Sequence, residues 1–125
     1  MRPLALLALL LTGLGAASHP AADPQALVGT WNVDLRPTAD APAYVQPMVV
    51  TSVDDGRVAG TFYGSPMVGG RVNTAWDGVY LAFSTSDGSA EYVTTARLLD
   101  GVVTGVTYAP ARDLLQPWRA TRAAD

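Results

Sequence analysis

Three residue types are absent or scarce in this 125-residue chain: there is no cysteine, no lysine and only one histidine, His19. The absence of cysteine excludes a disulfide framework and thiolate chemistry. The absence of lysine excludes Schiff-base chemistry. All 8 basic residues are arginine, they form no basic run, and the formal net charge is -3, so neither nucleic acid nor an anionic membrane surface is expected as a partner.

The N-terminus has the pattern of a secretory signal peptide, which we assign to residues 1–18. Its apolar stretch spans about 11 residues, too short for the roughly 20 that a membrane-spanning helix needs. We therefore expect export to the periplasm or the extracellular space, with no membrane insertion after cleavage. A flexible tail, residues 19–26, follows the cleavage boundary.

Because His19 lies in that tail, a Ser-His-Asp triad or a histidine-zinc site in the folded domain is excluded. The Asp54-Asp55 pair lacks the alternating oxygen spacing of a calcium loop. No metal and no cofactor are expected. Carboxylates are the remaining catalytic groups, but Asp34 and Glu91, which lie on predicted strands, are expected to be exposed. We expect a non-catalytic protein, with a carboxylate-based hydrolase as the enzymatic alternative.

Alternating apolar and polar residues predict short strands along the rest of the chain. Four Asp-Gly dipeptides, which suit tight hairpin turns, separate several of these runs. The predicted strands are 27–35, 44–53, 57–63, 71–76, 79–85, 90–99, 102–108 and 117–122. Helix is predicted only as one turn over residues 111–115.

Eight short strands joined in sequence predict an all-β fold, an eight-stranded antiparallel up-and-down β-barrel formed by the single domain 27–122. Closure would remove the two edges that an open sheet exposes, which this chain has no lysine to protect. A β-sandwich is the alternative, because turn spacing alone does not separate the two folds.

Three segments, Leu27-Val28-Gly29-Thr30-Trp31, Val58-Ala59-Gly60-Thr61-Phe62 and Pro117-Trp118-Arg119-Ala120, resemble the calycins, the group of barrels that includes avidins and lipocalins. This resemblance implies a ligand-binding barrel whose structural floor contains Trp31, Trp118 and Arg119. It also implies a late arginine over the first indole, either Arg119 or Arg122. The biotin-binding pattern is not kept, because Phe62 and Val33 stand where a tyrosine and an asparagine would be needed.

The segment 62–73 is the longest glycine-rich connection between predicted strands, and no helix follows it, so it is not a phosphate loop. As a barrel-mouth loop it would line a ligand entrance. Tyr63, Met67, Asn73 and Trp76 are then the candidate ligand-binding residues. The alternative is a plain hairpin loop whose glycines only permit the turn.

These observations favour an exported, non-catalytic β-barrel that binds a small apolar or amphipathic molecule. The alternative is an inhibitor or interaction module for a secreted protease, acting through the N-terminal tail. Two prolines, Pro20 and Pro24, would hold that tail extended and lower the entropy lost on docking.

Overall fold

The computed structural model describes residues 22–124, so the predicted signal peptide, residues 1–18, and His19 lie outside the described residues. Within that range the chain forms two 3-10 helices, Pro24–Leu27 and Pro110–Arg112. The strands are β1 Gly29–Asp34, β2 Val45–Asp54, β3 Arg57–Phe62, β4 Ser65–Pro66, β5 Val68–Asn73, β6 Val79–Ser86, β7 Glu91–Leu99, β8 Val102–Ala109 and β9 Leu114–Arg122. No helix in this range is long and apolar enough to cross a membrane.

The strands form one closed antiparallel sheet. Except for β4 and β5, neighbours in the chain pair with one another; β3 pairs with both β4 and β5, and β1 pairs with β9 through residues such as Val33 and Ala120. Between β3 and β5 the register contains a single pair, Arg57 with Arg71, and the two-residue strand β4 pairs with the upper part of β3. The predicted eight-stranded up-and-down barrel is confirmed with β4 as an extra strand, and the sandwich alternative is excluded by the β1–β9 pairing.

Alternation places one face of every strand inside the barrel. In β6, for example, the buried positions are Val79, Leu81, Phe83 and Thr85, and the residues between them are half-exposed. Large apolar side chains fill much of the interior, and this packing stabilises a fold that has no cysteine. The largest buried side chains among them are Trp31, Leu27, Met48, Val33, Val50 and Val103.

Successive connections of an up-and-down barrel alternate between its two ends. The connections after β1, β3, β6 and β8 lie at one end, which we call the open end. The connections after β2, β5 and β7 lie at the other end, which we call the closed end. This alternation decides which predicted site residues can meet.

Two of the Asp-Gly pairs form the tight hairpin turns that were predicted. Asp55 and Asp100 have positive φ angles of 51° and 53°, and a glycine with positive φ follows each, as a type I′ turn requires. The same geometry recurs at Tyr63, with φ 53°, followed by Gly64. Asp77 and Asp87 instead belong to longer connections.

Residues 22–26, which belong to the predicted tail 19–26, pack on the closed end. The Asp23 side chain caps the first 3-10 helix, accepting a hydrogen bond from the backbone N–H of Gln25 at 3.0 Å. Gln25 Nε2 donates to the Val53 carbonyl at 2.7 Å, and Ala22 packs against the core. The first 3-10 helix thus joins the barrel through both polar and apolar contacts.

The final strand begins earlier than predicted. β9 starts at Leu114 rather than at residue 117, and the predicted helical turn over 111–115 is a 3-10 helix at Pro110–Arg112. The turn ends at Asp113, which adopts the left-handed conformation with φ 52°. The longer β9 matters because its first residues form part of the wall at the open end.

Candidate functional site

A cavity of about 540 Å³ occupies the open end of the barrel. This volume falls within the roughly 300–1,000 Å³ of typical small-molecule sites. Most of its wall is aromatic or aliphatic. The lining residues are Leu35, Tyr44, Phe62, Tyr63, Ser65, Thr85, Asp87, Tyr92, Thr107, Leu114 and Gln116. They come from the ends of strands around the barrel, so the closed sheet itself creates the site.

The opposite end is closed by the first indole. Trp31 is buried, and its Nε1 donates to the carbonyl of Leu27 at 2.9 Å. The guanidinium of Arg122 lies 4.3 Å from the centroid of the same ring. It donates to the Val28 carbonyl at 2.8 Å and also to the Ala26 carbonyl. The N-terminal helix and the last residue of β9 are therefore fastened to each other over Trp31.

The arginine that covers Trp31 is Arg122 and not Arg119. Arg119 is exposed on the outer face, since it lies one residue from the inward-facing Trp118 and alternation reverses its direction. The calycin resemblance implied either Arg119 or Arg122 at this place. Arg122 is an even number of residues from the inward-facing Trp118 on β9, so its side chain lies on the same face of the strand. Gly29 leaves room for it, because a Cβ at Gly29 would lie 2.5 Å from Arg122 Nη1.

Two tyrosines form one side of the cavity rim. The hydroxyls of Tyr44 and Tyr63 are hydrogen-bonded, and their ring centroids are 6.2 Å apart. This hydrogen bond is the main cause that raises the pKa of the Tyr63 hydroxyl above its ordinary value. The backbone N–H of Tyr63 donates to the Pro47 carbonyl at 3.0 Å, which holds the turn against β2. A non-glycine residue at positive φ is unusual, and here it directs an aromatic ring over the entrance.

Asp87 organises the other side of the rim. Its carboxylate accepts from the backbone N–H groups of Ser89 and Ala90 at 2.9 and 2.8 Å, and from the Tyr92 hydroxyl at 2.8 Å. Arg112 Nη2 adds an ion pair at 2.7 Å. These donors, with the Ser89 N–H contributing most, hold the pKa of Asp87 well below its ordinary value. Asp87 therefore anchors the connection after β6 to Tyr92 and Arg112.

The connection after β1 is held in a similar way. Asp34 accepts from Arg36 Nη2 at 2.5 Å and from the Tyr44 backbone N–H at 3.2 Å. The hydrogen bond from the Arg36 side chain is the main cause that lowers the pKa of Asp34 to about 2. Leu35, which lies between Asp34 and Arg36 in the chain, lines the cavity. The rim is thus tied down at several points around its circumference.

The deep end of the cavity is polar at one side. Thr85 and Thr107 line it, and both are only 5% exposed. Thr107 Oγ1 lies 2.9 Å from Thr94 Oγ1 and accepts from Trp118 Nε1 at 3.0 Å. Trp118 also packs against Phe62, with ring centroids 5.4 Å apart. Trp118 thus supports the cavity wall through its contacts with Thr107 and Phe62, both of which line the cavity.

The structure brings only one of the four predicted ligand-binding residues to the cavity. Tyr63 lines it, whereas Met67 is half-buried against the core between β4 and β5. Asn73 and Trp76 lie at the closed end, where Asn73 Oδ1 accepts from the Ala75 backbone N–H at 2.8 Å and Trp76 is 73% exposed. These four residues cannot form one site, because Tyr63 follows β3 and Trp76 follows β5, and these two connections lie at opposite ends of the barrel.

Sequence reasoning missed Tyr92, Leu114, Thr85 and Thr107 as wall residues. A signal for Thr85 was present, since it shares the parity of Val79, Leu81 and Phe83 and so faces inward. Among residues 22–124, no group of three or more histidine, cysteine, aspartate or glutamate side chains is placed to hold a metal ion.

Comparison with known proteins identifies no matching family model, no similar curated protein and no similar solved structure. The fold and the cavity are therefore the basis for the functional argument.

Proposed function

We propose that this protein is an exported, non-catalytic barrel that binds a small apolar or amphipathic molecule in the open-end cavity. The proposal includes the calycin-like character suggested by the Gly29-Thr30-Trp31 segment and the signal peptide at residues 1–18. Binding is non-covalent, since the cavity wall carries no lysine, cysteine or histidine side chain.

The observation that carries the proposal is the contrast between the two halves of the barrel interior. Towards the closed end, the interior holds large buried side chains such as Trp31 and Met48. At the open end, aromatic and aliphatic groups surround a cavity of about 540 Å³. A close-packed protein interior would normally fill such a space with side chains. Apolar walls with a few convergent polar groups are the usual composition of a small-molecule site.

The rim supports the same function. Tyr44 and Tyr63 present half-exposed rings at the entrance, 45% and 48% exposed. Tyr63 occupies a backbone conformation that asparagine or glycine would adopt at lower cost. An aromatic ring held there at a conformational cost is explained if the ring contacts a ligand.

The inhibitor alternative receives less support. It requires an extended tail over residues 19–26 that is free to enter another protein. Residues 22–26 are instead bonded to Val53 and Arg122 at the closed end. An inhibitory segment would have to come from residues 19–21 alone or release these contacts.

The test is a fluorescence titration with N-phenyl-1-naphthylamine, a neutral apolar probe. We expect saturable, one-to-one binding to the purified protein. The variant Tyr63→Asn keeps a residue suited to positive φ but removes the ring, and it should weaken binding by about 2- to 10-fold. The matched control Trp76→Asn removes an exposed aromatic ring at the closed end and should leave the affinity unchanged.

Two results would contradict the proposal. One is the absence of saturable binding. The other is a loss of affinity in Trp76→Asn with none in Tyr63→Asn, which would place the probe at the closed end.

A further inference from the structure

Three side chains form a buried network of hydrogen bonds at the cavity, and their donor and acceptor groups limit its possible directions. It consists of Trp118, Thr107 and Thr94. The indole N–H of Trp118 is a donor only, so Thr107 Oγ1 must accept its hydrogen bond at 3.0 Å. The Thr107 and Thr94 hydroxyls, 2.9 Å apart, share one further bond, and either of the two could donate it.

The two directions leave a free proton in different places. If Thr107 donates to Thr94, the remaining proton belongs to Thr94, which is 0% exposed and forms no second side-chain hydrogen bond within residues 22–124. A buried donor without an acceptor is costly. If Thr94 donates to Thr107, the remaining proton belongs to Thr107, which lines the cavity. The second direction is favoured because a molecule in the cavity can accept that proton.

The charges around the cavity exclude an anionic partner for this proton. No arginine lines the cavity, and its charged lining residue is the carboxylate of Asp87. Arg112 pairs with Asp87. The amide of Gln116 is also engaged, with Nε2 donating to the carbonyls of Arg36 and Pro117 at 2.9 and 2.8 Å. A carboxylate entering the cavity would lose its hydration without meeting a free cation.

We propose that the ligand carries a neutral oxygen acceptor, of the ketone, ester or lactone class, at its buried end, and that the Thr107 hydroxyl donates to it. This inference rests on the proposed function and specifies its ligand. The apolar remainder of the ligand lies between Phe62 and the tyrosines of the rim, with the carbonyl leading.

The experiment compares three molecules with the same ring system as competitors of N-phenyl-1-naphthylamine. 2-Acetylnaphthalene carries a carbonyl, 2-isopropenylnaphthalene replaces its oxygen with a CH₂ group, and 2-naphthoate carries a negative charge. We expect the ketone to bind about tenfold more tightly than the alkene, as one buried hydrogen bond and one spared unpaired donor would give. The naphthoate should bind at least tenfold more weakly than the ketone.

Variants locate the donor. Thr107→Ser keeps the hydroxyl and should keep the preference for the ketone, whereas Thr107→Val should abolish it. Because Thr107→Val also removes the partner of Trp118, its fold is checked by circular dichroism. If it does not fold, Thr107→Cys decides the matter. The thiol is a weaker hydrogen-bond donor and should remove most of the preference, whereas Thr104→Val on the exposed outer face should retain it in full.

The outcomes separate this inference from the proposed function. Equal binding of ketone and alkene, tighter binding of naphthoate, or a full preference in a folded Thr107→Val variant would overturn the inference while leaving a ligand-binding cavity. Failure of the probe itself to bind would overturn both.

Discussion

Replacing Gly105 with alanine should destabilise the barrel through one identifiable collision. Gly105 on β8 lies opposite Trp118 on β9. An added Cβ would lie 2.4, 2.6 and 2.8 Å from the Cζ2, Cε2 and Cη2 atoms of that indole. The indole cannot easily retreat, because it is bonded to Thr107 and packed against Phe62.

The expected magnitude follows from three contributions. Overpacking of a filled interior costs about 1–3 kcal/mol. Displacing the indole weakens its bond to Thr107, which adds about 1 kcal/mol. Alanine restricts the unfolded chain and returns about 0.4–1 kcal/mol, since Gly105 does not have a positive φ that alanine would resist. The net loss should be about 2 kcal/mol, or a fall in melting temperature of about 10 °C for a domain of this size.

Urea unfolding followed by far-ultraviolet circular dichroism measures this loss, and a double-mutant cycle with Trp118→Phe identifies its cause. Phenylalanine lacks the indole's second ring, so Gly105→Ala should cost at least 1 kcal/mol less in the Trp118→Phe background. A loss below about 0.5 kcal/mol in the original background, or the same loss in both backgrounds, would refute the reasoning.

Two further predictions concern charged groups. Arg122→Met should lower the free energy of unfolding by about 1 kcal/mol, because it removes the guanidinium from Trp31. Arg119→Met, on the outer face, should change the free energy of unfolding by less than about 0.5 kcal/mol. Equal losses for the two variants in urea unfolding would contradict the assignment of Arg122 to the barrel floor. The pKa of Asp34 falls from 3.8 to about 2 in the folded protein, so its stabilising contribution is present above pH 3.8 and is lost as the pH falls towards 2. Asp34→Asn should therefore show a shallower decline in stability over that pH interval, and an unchanged slope in urea unfolding at a series of pH values would contradict the role of the Arg36 pair.

The barrel could be predicted because its signals are local and repeated. Alternating residues from Leu27 to Leu35 and the turns at Asp55 and Asp100 each specify geometry within a few positions. The turn at Tyr63 was missed, because tyrosine is an unusual residue at positive φ and only the surrounding strands impose that conformation. Local sequence patterns thus predict the strands, but they do not predict the positive φ of Tyr63, which depends on tertiary packing.

The candidate site was predicted less well because it depends on which strands end together. Tyr63 and Trp76 are close in sequence, yet the intervening β5 carries the chain to the other end of the barrel. Thr107 and Leu114 are distant from Tyr63 in sequence and meet it at the open end. Counting connections along the predicted barrel would have separated the two ends. The hydrogen-bond direction at Thr107 required the positions of Thr94 and Trp118 as well.

The pairing of β1 with β9 has a kinetic consequence. It joins the first and last strands, and the Arg122 to Val28 bond spans 94 positions of sequence. Such non-local contacts form late and slow the folding of all-β domains, typically to about milliseconds or seconds. Leu35, just after β1, and Gln116 on β9 both line the cavity, so the cavity is complete only when this last seam has formed. The rate at which binding of N-phenyl-1-naphthylamine appears during refolding would therefore report the rate at which β1 pairs with β9.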